Sequence, residues 1–389
     1  MLRATVRLAG WMRFLIVCSS VAVTSLAYAD DGLPTKIGPQ KRQWKPLYEL
    51  FPQSEKSAEQ TNVYSVLQTV TLTELPIHGE LLRCWIASPR DATHQTLEDL
   101  AINECPGVWT IVQDAQRRGD FLYLEVKRPP ASVVVKISFR VRRSPEFTNL
   151  EGLASGPLSD GLKSMLAEYL VKDAPHMEVT EEFQKIADTI CGDETTIALQ
   201  ARMLLSHVAS TLNHYSYAED PNMPTCGVGD AAVCKQQGGG CCTDLNSYFI
   251  ALARARGIPA KLNMGYRVQE KNSGHTIDPG YRCWVEYFVP GAGWVSADIV
   301  EADTPNGLGP ARWFEGLTSR RIWLNEGREF DFGNQLAVGR VNHMSIGYAE
   351  VDGQPIRLLP HGDEKPQIAR LIRCTEVQAD IKFEANEVE

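Results

Sequence analysis

The stretch Gly238-Gly239-Gly240-Cys241-Cys242-Thr243-Asp244 runs directly into Leu245, Tyr248, Phe249 and Leu252. Those four residues share one face at helical spacing, and Gly257 followed by Pro259 marks where a helix must stop. A helix is therefore expected to begin at or beside Cys242. A thiol in that position faces backbone N–H groups without partners and the positive end of the helix dipole, which favours the thiolate and hence a nucleophile. The three glycines allow the backbone to approach a substrate closely, or simply make a tight turn into the helix. The same cysteine could instead be packing or half of a disulfide. Cys226, Cys234 and Cys241 lie nearby, and even a strained Cys241–Cys242 bridge stays open. With no C-x-x-C spacing, no metal is expected, and nothing calls for a cofactor.

The chain around this segment has 389 residues, 43% apolar and 22% charged, which is ordinary globular composition. Its net charge of -9 is a poor match for a phosphate backbone, so nucleic-acid binding is not expected. Arg3, Arg7 and Arg13 precede an apolar run, Phe14 to Leu26, that ends in Ala27-Tyr28-Ala29. That pattern describes a secretory signal peptide over residues 1–29. The run is too short to cross the roughly 30 Å hydrocarbon layer as a helix. The expected product is a secreted or periplasmic protein without stable membrane insertion. Of ten cysteines only Cys18 is removed, which leaves an odd number in a compartment that permits disulfides.

Residues 30–60 carry four prolines and no regular period, and read as a linker. Over 61–148 several short apolar runs read as strands, most clearly Val133, Val135, Ile137, Phe139 and Val141 with Lys136, Ser138, Arg140 and Arg142 opposite. An antiparallel β-sandwich-like domain is expected there. The period then switches. Leu162, Met165, Leu166, Tyr169 and Leu170 suit one helix, Phe183, Ile186 and Ile190 a second capped by Thr180, and Ala201, Leu204, Leu205, Val208 and Leu212 a third. Strands are expected again at Lys261–Val268, Arg282–Phe288 and Trp294–Val300, which makes this part α+β. Residues 356–389 read as a polar tail.

Gly240, Cys242 and Asp244 opening a helix that ends in Arg254 through Ala260 resemble the transglutaminase-like superfamily, whose members use a papain-type Cys-His-Asp site. So do Arg282-Cys283-Trp284-Val285-Glu286, Pro290-Gly291-Ala292-Gly293-Trp294-Val295 and Asp298, which match the family's following strand pair. Gly229-Asp230-Ala231 and Tyr348 through Gly353 resemble secreted bacterial members. The resemblance implies a papain-like core over 155–355, preceded by the β-sandwich-like domain. It also implies a site made of Cys242, Arg282 and Asp298, with Arg282 standing where the family has its histidine.

That replacement matters, because an imidazole can take the thiol proton and return it to a leaving amine, whereas a guanidinium stays protonated. Arg282 could still hold a thiolate by ion pairing, oriented by Asp298, and is the side chain expected to approach Cys242. His275 lies in a loop that could fold back over the cleft, while His207 and His214 read as packing or solvent residues. Trp284 and Trp294 read as core or cleft wall. Two functions follow: thiol acyl transfer on protein or peptide amides, of peptidase, amidase or crosslinking type, or a pseudoenzyme that binds peptide or cell-wall chains without turnover.

Overall fold

Alternation decides the first half of the chain. In β1 (Asn62–Leu72) and β6 (Val133–Arg143) every second residue is buried, and the two strands pair antiparallel with Val66 opposite Phe139. The computed structural model describes residues 60–153, 156–216, 228–268, 275–277, 281–302, 310–357 and 367–377. The expected signal peptide, nearly all of the linker and Cys226 lie outside them. β3 (Gln95–Glu104) flanks β6, and β18 (Ile368–Val377) flanks β1 on its other side, followed by β11 (His275–Ile277).

A second five-stranded sheet runs β17 (Gln354–Pro355), β16 (Tyr348–Val351), β2 (Leu81–Ser88), β5 (Asp120–Lys127), β4 (Val108–Gln113). The two sheets bury their facing side chains in one core, with Val66, Ile137 and Ile372 from the first and Trp85 and Leu122 from the second. Phe330 and Phe332 close it, each edge-on to Phe121.

Residues 356–389 are therefore not all tail, since β18 is an internal strand. Its Ile368, Arg370, Ile372 and Cys374 are buried while Ala369, Leu371 and Arg373 are exposed. The alternation was obscured by Arg370, an arginine on the inner face. Its guanidinium lies over the ring of Tyr266 at 4.6 Å and donates to Ser345 O, which supplies the partners a buried cation needs.

Of the expected helices, the first is interrupted. α1 (Asp160–Met165) gives way to a 3-10 turn at Ala167–Leu170, and none of its residues is buried, so no packed face sustains a longer helix. α2 (Glu181–Cys191) begins where expected, with Thr180 Oγ1 accepting from Phe183 N. α3 (Ile197–Thr211) carries the third apolar face. After α4 (Ala231–Gln237) comes α5 (Cys242–Ala255), in which every residue is buried.

Against α5 lies a four-stranded sheet, β13 (Gly293–Ala297), β12 (Arg282–Val289), β10 (Ala260–Arg267), β15 (Arg321–Glu326). Phe249 of α5 meets Tyr287 of β12 at 6.2 Å. The strand expected to reach Val300 ends at Ala297, because the Asp298 carboxylate accepts from Glu301 N at 3.0 Å and starts α6 (Ile299–Ala302). Two short ladders complete the order: β7 (Glu146–Phe147) with β14 (Gly316–Leu317), and the parallel pair β8 (Asn213–His214) with β9 (Gly239–Gly240). The result is a mixed, mostly antiparallel α+β protein. Among the described residues no helix is long and apolar enough to cross a membrane.

The burial of β18 makes a differential prediction. Ile372→Ala should cost ~2–4 kcal/mol in urea unfolding, as large-to-small core changes do. Leu371→Ala, one residue along and 40% exposed, should cost under ~0.5 kcal/mol. Equal effects would contradict the strand assignment.

Candidate active site

The site is built on the way into α5. Gly239 and Gly240 hold φ values of +152° and +155°, and a Cβ on Gly239 would meet Asn213 O at 2.1 Å. Only glycine lets this strand lie flat against Asn213–His214 before the chain turns. The turn is closed by Asp244, whose Oδ2 accepts from Cys241 N at 2.9 Å and whose Oδ1 accepts from Asp230 N at 3.2 Å. The acidic residue two beyond Cys242 is therefore a helix cap and a tie to the start of α4. Cys242 occupies the first helical position, as expected, and its side chain is buried.

What approaches Cys242 was not expected. Cys283 Sγ and Cys242 Sγ lie 2.9 Å apart, within hydrogen-bonding distance, so the two thiols share a proton contact. Thr243 Oγ1 lies 3.2 Å from Cys283 Sγ and 2.6 Å from the hydroxyl of Tyr281, which in turn is 4.0 Å from Cys241 Sγ. Successive residues of a strand face opposite ways, so with Cys283, Val285 and Tyr287 on the helix side, Arg282 belongs to the other face of β12. Its positive charge is nonetheless felt at Cys242 and at His214.

The thiol does not have the lowered pKa expected of its helical position. Hydrogen bonding to Cys241 pulls it down, but the hydrogen bond with Cys283 and burial away from water outweigh this, and it ends well above the ordinary thiol value. The Arg282 cation opposes the rise without reversing it. Among the described residues, Cys234, Cys242 and Cys283 are thiols rather than members of the bridges left open by the sequence, so no Cys241–Cys242 bridge forms.

Asp298 is fully buried. Besides capping α6 it accepts from Arg321 Nη2 at 2.6 Å, and Arg321 also reaches Glu301 at 3.3 Å. Its carboxylate is thus held by a buried ion pair rather than exposed at a strand end. Among the histidines, His207 stacks at 6.3 Å on Tyr248 of α5 and has the packing role expected of it. His275 sits in β11, its backbone opposite Cys374, on the edge of the β-rich sheet.

His214 is closer to the chemistry than sequence reasoning placed it. Its backbone pairs with Gly240, two residues before Cys242, and its Nδ1 accepts from Ser216 N at 3.3 Å. Burial, then the charge of Arg282, lowers its pKa to about 4. It is therefore a neutral imidazole near neutral pH, with its proton on Nε2. No local motif marks His214, and the strand motif that contains Cys283 does not single out its thiol. Both are delivered by pairing and packing.

Residues 184–299 match the family model for the transglutaminase-like superfamily. An uncharacterized protein of Haemophilus influenzae is 28% identical over 219 residues, covering 49% of this chain and 58% of that protein, so the chain spans less than two thirds of that relative's length. A solved structure of a candidate cysteine protease from Cytophaga hutchinsonii aligns with a TM-score of 0.56 at 12% identity, over 83% of this chain and 93% of that one. At that identity the likeness is one of fold.

Two outcomes follow from this geometry. Replacing Cys283 with alanine removes a group that holds the Cys242 proton, so the pH midpoint of iodoacetamide labelling at Cys242 should fall; an unchanged midpoint would separate the two thiols. His207, His214 and His343 are each held neutral by burial, with pKa values of about 4. Unfolded, they titrate near 6.5, so between these values the unfolded chain binds more protons and stability is lost as pH falls. Melting temperature should drop across that window, and less steeply in His207→Gln.

Proposed function

We propose that this chain, which carries a transglutaminase-like superfamily core over residues 184–299, is an exported thiol acyl-transfer protein that accepts acyl groups on Cys242 from protein or peptide substrates but releases amines slowly. The observation that carries this reading is the sulfur of Cys242 at the first position of a buried helix, with a thiol rather than an imidazole against it. The helix N-terminus supplies N–H groups that can receive a developing oxyanion. His214, whose imidazole is neutral near neutral pH, pairs by its backbone with Gly240, two residues before Cys242.

Among the described residues, the side chain against the Cys242 sulfur is a thiol, a poor proton carrier near neutral pH. Expelling an alkoxide or phenolate from an activated ester needs little help, because such groups leave as anions. Expelling an amine requires protonation, and neither Arg282 nor a high-pKa thiol does this well at neutral pH. Losing a positioned acid–base group costs on the order of 10²- to 10⁴-fold. Export rests on the N-terminal pattern of basic residues, apolar run and Ala27-Tyr28-Ala29.

A second reading is favoured by the same pair of thiols. If Cys242 is held permanently protonated by Cys283 and burial, the protein is a pseudoenzyme that binds peptide or cell-wall chains. The two are separated by a p-nitrophenyl ester and a peptide amide. Acyl transfer predicts a burst of nitrophenolate with wild type that disappears in Cys242→Ala, little amide cleavage, and a gain of amide cleavage of about 10²-fold or more in Arg282→His. No burst at any pH up to the Cys242 titration would leave the binding reading.

A further inference from the structure

Two thiols that no local motif joins meet in the core. Cys242 opens α5 and Cys283 lies in β12, 41 residues apart in sequence, yet their sulfurs are 2.9 Å apart and both side chains are buried. A disulfide has its sulfurs about 2.05 Å apart, so bond formation requires the pair to close by less than 1 Å. The neighbouring Cys241 is a poorer partner for Cys242. Consecutive Cα atoms across a trans peptide are about 3.8 Å apart, below the roughly 4.4 Å at which bridged cysteines begin. Thr243 Oγ1 lies 3.2 Å from Cys283 Sγ, so a hydroxyl stands ready to exchange a proton with it.

We propose that Cys242 and Cys283 are a two-electron redox couple, converted to a disulfide by a peroxide and back to the dithiol by an external thiol. In the first step the small thiolate fraction that the raised pKa of Cys242 leaves attacks one oxygen of hydrogen peroxide. An S–O bond forms, the O–O bond breaks, and hydroxide leaves and is protonated to water. Cys283 Sγ then attacks the sulfenic sulfur; an S–S bond forms, the S–O bond breaks, and a second water leaves with the Cys283 proton. The two thiols lose two electrons and two protons, and the peroxide is reduced to two waters. Two thiol–disulfide exchanges with an external dithiol reverse the change.

Cys242 is the sulfur to be oxidised first, because it is 5% exposed where Cys283 is 0%. Cys283 then plays the resolving role, capturing the sulfenic acid before a second oxidation makes it irreversible. This couple stands whether or not Cys242 transfers acyl groups. Where it does, the disulfide removes the nucleophile, so the oxidised protein is inactive and recovers on reduction.

Trypsin leaves Cys241 and Cys242 in one peptide, Gln236 to Arg254, and Cys283 at the start of another that ends at Arg312. The reduced protein is treated with hydrogen peroxide, blocked with N-ethylmaleimide and digested without reductant. The expected product is the two peptides joined with the loss of two hydrogens and separated again by dithiothreitol. The link should persist in Cys241→Ala and vanish in Cys242→Ala and Cys283→Ala, with Cys242 of Cys283→Ala advancing to sulfinic acid. Added oxygen on Cys242 of the wild type without a link overturns the proposal. So does a link that survives in Cys242→Ala, which would make Cys241 the partner. Should Cys283→Ala fail to fold, the wild-type and Cys241→Ala maps decide alone. Because the readout is a covalent map, it is independent of the ester and amide assays.

Discussion

A helix buried on all sides has nowhere to hide its first N–H groups, and the whole site follows from how α5 meets that constraint. Asp244 folds back to Cys241 N and reaches across to Asp230 N, so one carboxylate closes the helix start and fastens α4 to it. The remaining N–H groups of the first turn surround Cys242 in a space from which water is largely excluded. That dryness has two opposite consequences. It strengthens the helix-end electrostatics that could receive an oxyanion, and it penalises the thiolate that would have to attack.

Which consequence dominates is set by neighbours supplied from elsewhere. The cation of Arg282 favours the thiolate from the opposite face of β12, and the hydrogen bond from Cys241 acts in the same direction. Cys283 and burial act against them and win. In a site with a neutral imidazole against the sulfur, proton transfer would resolve this contest by moving the proton a short distance. Here the contact is a second thiol, which cannot serve as the general base that an imidazole would be.

The charged residues behind the site show the complementary solution. Asp298 and Arg321 are both almost wholly buried, and their ion pair is reinforced by Glu301, which Arg267 also contacts. Breaking one partner of such a cluster leaves an uncompensated charge, which is why Asp298 serves as a fixed point of the fold as well as a member of the expected triad. Its carboxylate is spent on Arg321 and on the start of α6, and this orients β12 and β13 relative to α5 through the backbone.

Local pattern alone determined the β-rich half around β1 and β6, the helices from Thr180 and Ile197, and the start of α5 at Cys242, because each is written as a short-range period or a cap. Only the tertiary structure brought the Cys283 sulfur to 2.9 Å from that of Cys242. Apolar residues occupy both faces of β12, so Cys283-Trp284-Val285 and Tyr287-Phe288-Val289 show no alternation from which an inner face could be read. Likewise β18 was hidden by an inward arginine whose partners, Tyr266 and Ser345, are distant in sequence. The place of His214 beside Gly240 depends on a parallel pairing between segments with no shared motif. A thiol's acidity, finally, is a property of its surroundings: the sequence placed Cys242 at a helix end, and packing supplied the burial and the second sulfur that overrule it.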